Sequence, residues 1–202
     1  MSEPVLSVED LVVKFHLKRG VLTAVNGTSF DVGKRETFGL VGESGSGKSV
    51  TARAIMRLIP TPPGEVTANK VHVDGSDIYK LNDDEIREIR GKKIAMVFQE
   101  PMSALNPVYT VGSQIGDVLR TNLGMSKSEA RERTIELLNL VGIPSADSRI
   151  DNYVHEFSGG MRQRVMLAMA LSCDPTFLIA DEPTTALDVT IQATILELIG
   201  SM

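Results

Sequence analysis

The sequence predicts an α/β fold: a sheet domain that opens with antiparallel strands, holds a phosphate-binding loop between a strand and a helix, and carries an inserted helical subdomain. Three observations predict it. Short β-branched apolar runs alternate with longer stretches of helical periodicity. One of those runs leads directly into a glycine-rich loop ending in Lys48 and Ser49. A mostly helical stretch, residues 101–172, interrupts an otherwise strand-rich chain.

Taken in order, residues 5–17 and 23–32 are β-branched runs around a turn at Lys18, Arg19 and Gly20, and read as antiparallel strands. Residues 37–41, Thr-Phe-Gly-Leu-Val, read as a short buried strand. Residues 48–58 read as a helix, closed by Pro60, Pro62, Pro63 and Gly64 because proline cannot continue the ladder. Residues 71–73 and 94–98 are further strands. Residues 111–141 are mainly helical with a break near Gly124 and Met125, residues 159–171 form a helix, 176–180 a buried strand and 191–199 a final helix. Residues 1–100 and 173–202 therefore form the sheet core, and 101–172 the helical subdomain. No internal repeat or low-complexity tract interrupts this order.

Composition narrows the class. Apolar residues make up 42% and charged residues 23% of the 202, a globular balance. A formal net charge of −5 gives no basic surface for nucleic acid. The single cysteine, Cys173, excludes an intrachain disulfide and reads as a buried inert thiol. The start, MSEPVLSVED, lacks the basic segment and apolar run of a secretory signal, and no apolar run approaches the roughly 18 residues of a membrane span. The expectation is a cytosolic chain that meets a membrane only through another protein.

Gly42-Glu43-Ser44-Gly45-Ser46-Gly47-Lys48-Ser49 fits G-x-x-x-x-G-K-[ST] in full. Its glycines let the backbone curl until N–H groups point at phosphate oxygens, and the helix that follows, through Ser49 and Val50, presents its positive end to the same anion. Lys48 would reach the β- and γ-phosphates of a nucleotide, and the Ser49 hydroxyl would ligate Mg²⁺. The competing reading is a glycine-rich turn that binds nothing; a strand before and a helix after argue against it. Phe177-Leu178-Ile179-Ala180-Asp181-Glu182 is an apolar strand ending in two acids. Asp181 would hold the Mg²⁺ shell, and Glu182 would polarise an attacking water as general base. Alone, such a pair is more often a helix cap or solvated turn; beside a phosphate loop it points to a nucleotide hydrolase.

Phe157-Ser158-Gly159-Gly160-Met161-Arg162-Gln163-Arg164 resembles the signature sequence of ABC ATPases. Ser158 would cap the helix there, and Gly159 and Gly160 would leave its N–H groups open to a second anion. A narrower resemblance, to ATPases serving oligopeptide and dipeptide uptake and their nickel-type relatives, lies in Gln99-Glu100-Pro101-Met102-Ser103-Ala104-Leu105-Asn106-Pro107 and in Asp181-Glu182-Pro183-Thr184-Thr185-Ala186-Leu187-Asp188-Val189-Thr190. Together these resemblances cover essentially the whole chain.

They imply an ATPase that energises membrane transport. Two such domains, identical or different, would sandwich two ATP molecules, the signature of one closing over nucleotide held by the phosphate loop of the other. Transmembrane permease subunits would be direct partners and an extracytoplasmic substrate-binding protein an indirect one, with no nucleic acid partner. Gln99 would contact Mg²⁺ and water, Ala186-Leu187-Asp188 would face the dimer partner, and Phe15 would stack on adenine. Met102, Leu105 and Val108 would expose an apolar surface to the membrane subunit.

Arg35 stands where the family usually has glycine, and Val154 where these relatives often have proline, which puts local turn geometry in question. The family's switch histidine follows a further strand, whereas the histidines here are His16, His72 and His155. The resemblance thus implies a chain that stops before the ATPase domain is complete. Residues 37–41 and 176–180 would lack the strand between them, and the chain would be unstable alone. Two rivals remain. An ABC-type ATPase of DNA maintenance would carry long coiled-coil insertions where this chain has a compact helical stretch without heptads. A non-catalytic nucleotide-binding fragment would bind ATP without turnover.

Overall fold

The computed structural model describes residues 3–182, which divide between Ile94 and Ala95 into two compact units. The expected helix at 191–199 and the loop containing Ala186-Leu187-Asp188 lie outside the described residues.

The first unit is built on a long antiparallel hairpin, β1 (Leu6–Leu17) and β2 (Gly20–Val32), running from Leu6 opposite Val32 to Leu17 opposite Gly20. The register slips between Val8 and Leu11, where Asp10 takes a left-handed backbone (φ 53°) and its N–H donates to Ser29 Oγ at 2.8 Å. This is a bulge, which bends the strand without ending its pairing. Helix α1 (Lys48–Ile55) follows the phosphate loop. Strands β3 (Gly64–Thr67) and β4 (Lys70–Val73) then both pair antiparallel with the free edge of β1, and β5 (Ser76–Asp77) closes the sheet beyond β4. Alternation along β1 puts Leu6, Val8, Leu11 and Val13 in the interior, where Val71 and Val73 of β4 are also buried. Helix α2 (Asp83–Ile89) completes the unit, opened by a capping box in which the Asn82 side chain accepts from Asp84 and Glu85 N–H and Glu85 accepts from Asn82 N–H.

Residues 37–41 do not form the expected buried strand. A strand exists only through its ladder, and no described strand pairs with this segment. Its apolar side chains are correspondingly exposed, Phe38 at 43%, Leu40 at 41% and Val41 at 92%. Phe38 keeps one partner, stacked on Phe30 with ring centroids 4.9 Å apart. The turn before it, where Glu36 N–H donates to Gly33 O, holds Arg35 at φ 58°. That is the left-handed region in which a Cβ meets the following carbonyl oxygen. Arg35→Gly should therefore stabilise the protein by about 1 kcal/mol, read as a raised denaturant midpoint with unchanged m-value.

The second unit joins two strands to a helical body. Strands β6 (Ile94–Val97) and β7, which follows the helices at Phe177–Ala180, form a two-stranded sheet. Between them come α3 (Val111–Leu123), α4 (Lys127–Leu140), α5 (Ala146–Arg149) and α6 (Gly159–Leu171). The break expected near Gly124 is a helix end. Gly124 sits at φ 69°, and Ser126 opens α4 with a second capping box to Glu129. Hydrogen bonding to the Ser126 side chain, and then to its backbone N–H, holds the Glu129 carboxyl below its ordinary range. Val111, Ile115 and Leu119 recur every fourth residue along α3 and are buried with Leu137 and Leu138 of α4 and Met166 of α6. Cys173 is buried as expected, while β7 is only half-buried.

Candidate nucleotide site

The phosphate loop belongs to the first unit. Gly47 lies at φ 93°, and a Cβ there would come within 2.4 Å of the Ala24 carbonyl oxygen. Both the backbone angle and the lack of space demand glycine. No side chain caps α1 at Gly47, an arrangement in which a helix N-terminus takes an anion; Lys48, Ser49 and Val50 form the first turn. The Lys48 ammonium donates to Gly42 O at 2.7 Å and Glu43 O at 2.9 Å, so the cation lies across the loop Gly42, Glu43, Ser44, Gly45, Ser46 and Gly47. A curled loop with a cation across it suits a polyphosphate. Phe15 lies opposite Leu22 of β2 and Gly64 of β3, half-buried, so part of its ring faces solvent.

The second unit gathers the acidic residues. The Asp181 N–H donates to Val97 O at 2.9 Å, tying the end of β7 to the end of β6. Two residues past Val97, Gln99 Nε2 donates to Glu182 Oε2 at 2.9 Å, so positions 83 residues apart in sequence meet. Glu182 itself takes a left-handed backbone, φ 50°. Among the described residues no group of three or more His, Cys, Asp or Glu side chains is arranged to hold a metal ion. Mg²⁺ ordinarily keeps waters and substrate phosphate oxygens as most of its ligands. The three side chains expected to approach it are divided, Ser49 in the first unit and Gln99 and Asp181 in the second.

The signature segment opens α6. Ser158 is its N-cap, with Oγ accepting from Met161 N–H at 3.4 Å. Phe157, 2% exposed, anchors the segment in the core. The Arg162 guanidinium turns back to donate to Val154 O at 3.0 Å and His155 O at 3.2 Å. A Cβ at Gly159 would meet nothing among the described residues within 4 Å. Val154 opens a 3-10 turn and is itself buried, a first-turn position that proline also tolerates.

One expectation needs correction. Met102 and Val108 are exposed, at 41% and 69%, but Leu105 is buried at 2% and packs with the helical core. The 3-10 turn Pro101–Ser103 and the Leu105 N–H to Pro101 O hydrogen bond fold that side chain inward; Tyr109, 56% exposed, takes its place on the surface. Sequence reading also missed Tyr79 and Arg90, which donate to carbonyls at the end of α1, and Arg57, which follows that end and donates to Leu81 O. Only the capping box at Asn82 and Glu85 signalled structure in that stretch.

The family model for ABC transporters matches residues 25–185. A dipeptide transport ATP-binding protein of Bacillus subtilis is 55% identical over 97% of this chain and 58% of its own length, and an oligopeptide transport ATP-binding protein of the same organism is 53% identical over 98% and 55%. A putative peptide import ATP-binding protein of Brucella abortus is 52% identical over 99% of the chain and 61% of its own. The chain thus spans somewhat more than half the length of these relatives. Among solved structures, a dimeric ATP-binding cassette in a post-hydrolysis state bound to ADP and Pi superposes with a TM-score of 0.86 at 28% identity, covering 96% of this chain and 81% of that one. A Clostridium perfringens subunit of a cbiONQ ABC transporter complex gives 0.74 at 25% identity, covering 100% and 74%. With the phosphate loop, the acidic strand end and the signature in family order, and a family model matching most of its length, this chain belongs to the ABC transporter ATP-binding family and has its P-loop ATPase fold.

Proposed function

We propose that the protein binds and hydrolyses MgATP to energise import of dipeptides or oligopeptides. The observation that carries the hydrolytic reading is the hydrogen bond from Gln99 to Glu182. It orients one carboxylate oxygen through an amide whose own backbone lies just beyond β6, as a base that must face a water requires. The peptide reading rests on relatives above 50% identity that carry dipeptide, oligopeptide and peptide transport in their names.

In this mechanism the loop Gly42 to Ser49 and the first turn of α1 hold the phosphates, and Lys48 transfers its ammonium from the loop carbonyls to the β- and γ-phosphate oxygens. Phe15 stacks on the base. Ser49, Gln99 and Asp181 would hold Mg²⁺, which would supply neutralisation of charge on the phosphates. Glu182 takes the proton of the attacking water, and Gln99 keeps Glu182 aimed. Ser158, Gly159 and Gly160 offer their helix end to the nucleotide of a second ATPase subunit, identical or different. No described helix is long and apolar enough to cross a membrane. The chain is accordingly proposed to sit on the cytoplasmic face, with Met102, Val108 and Tyr109 turned toward permease subunits that receive substrate from an extracytoplasmic binding protein.

The test is uptake of a labelled dipeptide and oligopeptide by vesicles containing the assembled transporter, with phosphate release followed in parallel. ATP-dependent uptake coupled to phosphate release is expected. Phosphate release with neither peptide carried overturns the substrate assignment, and ATP binding without phosphate release overturns the enzymatic one.

A further inference from the structure

The C-terminal end of α1 is held by side chains from residues 79–90, a stretch that the nucleotide chemistry does not use. Tyr79 Oη donates to Ala54 O at 2.7 Å. Arg90 donates through Nε to Met56 O at 3.0 Å and through Nη2 to Arg57 O at 2.7 Å. A helix end leaves its last carbonyls without intrahelical partners, and these donors take three of the carbonyls at and beyond it. Arg57 answers in the opposite direction, donating to Leu81 O at 2.6 Å and Ile78 O at 3.3 Å, with Asp83 at 3.3 Å.

The backbone shows how much this junction is constrained. Leu58 N–H bonds to Arg53 O and Arg57 N–H to Ala54 O, both at 2.8 Å, the double closure in which the residue after the cap is usually glycine. Here it is Arg57, at φ 54°, a conformation unfavourable for any residue with a Cβ. Arginine there costs backbone strain and supplies the guanidinium that crosses to residues 78–83. Burial holds the Arg90 guanidinium below its ordinary range, with the charge of Arg57 adding to the effect, and burial pushes the Tyr79 phenol up to about 12. The Tyr79 phenol therefore keeps its proton and remains a donor at neutral pH.

No regular secondary structure is formed between the end of β2 and Lys48. An eight-residue helix is a short rigid rod, so fixing its last turn fixes its first.

We propose that Tyr79 and Arg90 are positioning residues for the phosphate loop: by holding the last carbonyls of α1 they set where its first turn meets the nucleotide phosphates. This rests on reading residues 42–49 as the ATP site. The test uses the intact protein carrying Glu182→Gln, so that binding is measured without turnover. Tyr79→Phe, Arg90→Met and Arg90→Lys are compared for MgATP Kd by calorimetry and for unfolding midpoint without nucleotide, with Lys48→Ala as control. Tyr79→Phe should raise Kd about fivefold, the equivalent of one neutral hydrogen bond. Arg90→Met should raise it further, with Arg90→Lys intermediate because an ammonium lacks the planar pair of donors that Nε and Nη2 present to the two carbonyls. Variants that lower the unfolding midpoint yet bind MgATP as tightly as the parent at a temperature where all are folded would overturn the proposal. Should Arg90→Met not fold, Tyr79→Phe decides by the same criterion. If Lys48→Ala itself binds MgATP normally, the site reading fails; if only Tyr79→Phe and Arg90→Lys bind normally, the positioning role alone fails.

Discussion

Lys48→Ala should abolish phosphate release and raise the Kd for MgATP about 10–100-fold, the equivalent of one or more charge-assisted hydrogen bonds. The ammonium bridges Gly42 O and Glu43 O, so it has two duties that alanine cannot perform. In the proposed mechanism it offsets the dipoles of the two loop carbonyls it touches and supplies the positive charge for the β- and γ-phosphates. Arginine at this position should not restore turnover, since a planar fork does not substitute for a compact ammonium in a tight loop. Calorimetry and steady-state phosphate release on the purified intact protein check both parts. Wild-type turnover in Lys48→Ala would remove the phosphate loop from the mechanism.

Glu182→Gln should slow turnover by roughly two to four orders of magnitude, the usual contribution of a general base, while leaving MgATP binding intact. The substitution is informative because of what it keeps. The Gln99 amide donates to Glu182 Oε2 at 2.9 Å, and a glutamine carbonyl oxygen can accept that same hydrogen bond. Shape and size are thus conserved, while the negative charge and the capacity to take a proton are lost. Single-turnover measurements separate this from slowed product release. If the variant hydrolyses at the parental rate, another group is the base.

The local features were the legible ones. Residues 159–171 form the helix that the sequence predicts, and the break near Gly124 is a glycine end followed by a serine cap, because these signals act over one helical turn. Residues 37–41 carry the composition of a buried strand, yet strand formation depends on a neighbour that composition does not supply. Leu105 reads as surface within a proline-rich segment, but a single 3-10 turn reverses its direction. For the site, residue types and order are enough to propose the phosphate loop, because its glycines, lysine and serine are contiguous in sequence. Contacts between distant positions, Gln99 with Glu182 or Arg90 with Arg57, leave no periodic trace in the sequence.

The backbone of Glu182 has a consequence for how this chain can drift. At φ 50° the residue occupies a conformation that glycine or asparagine adopts more readily. If Glu182 is the base proposed above, selection for turnover and selection for stability pull in opposite directions at one codon. A lineage that kept nucleotide binding but no longer needed hydrolysis would relax toward glycine or asparagine at 182, shedding strain as it lost the base. The residue found there in any descendant thus records whether its ancestors remained engines or became nucleotide sensors.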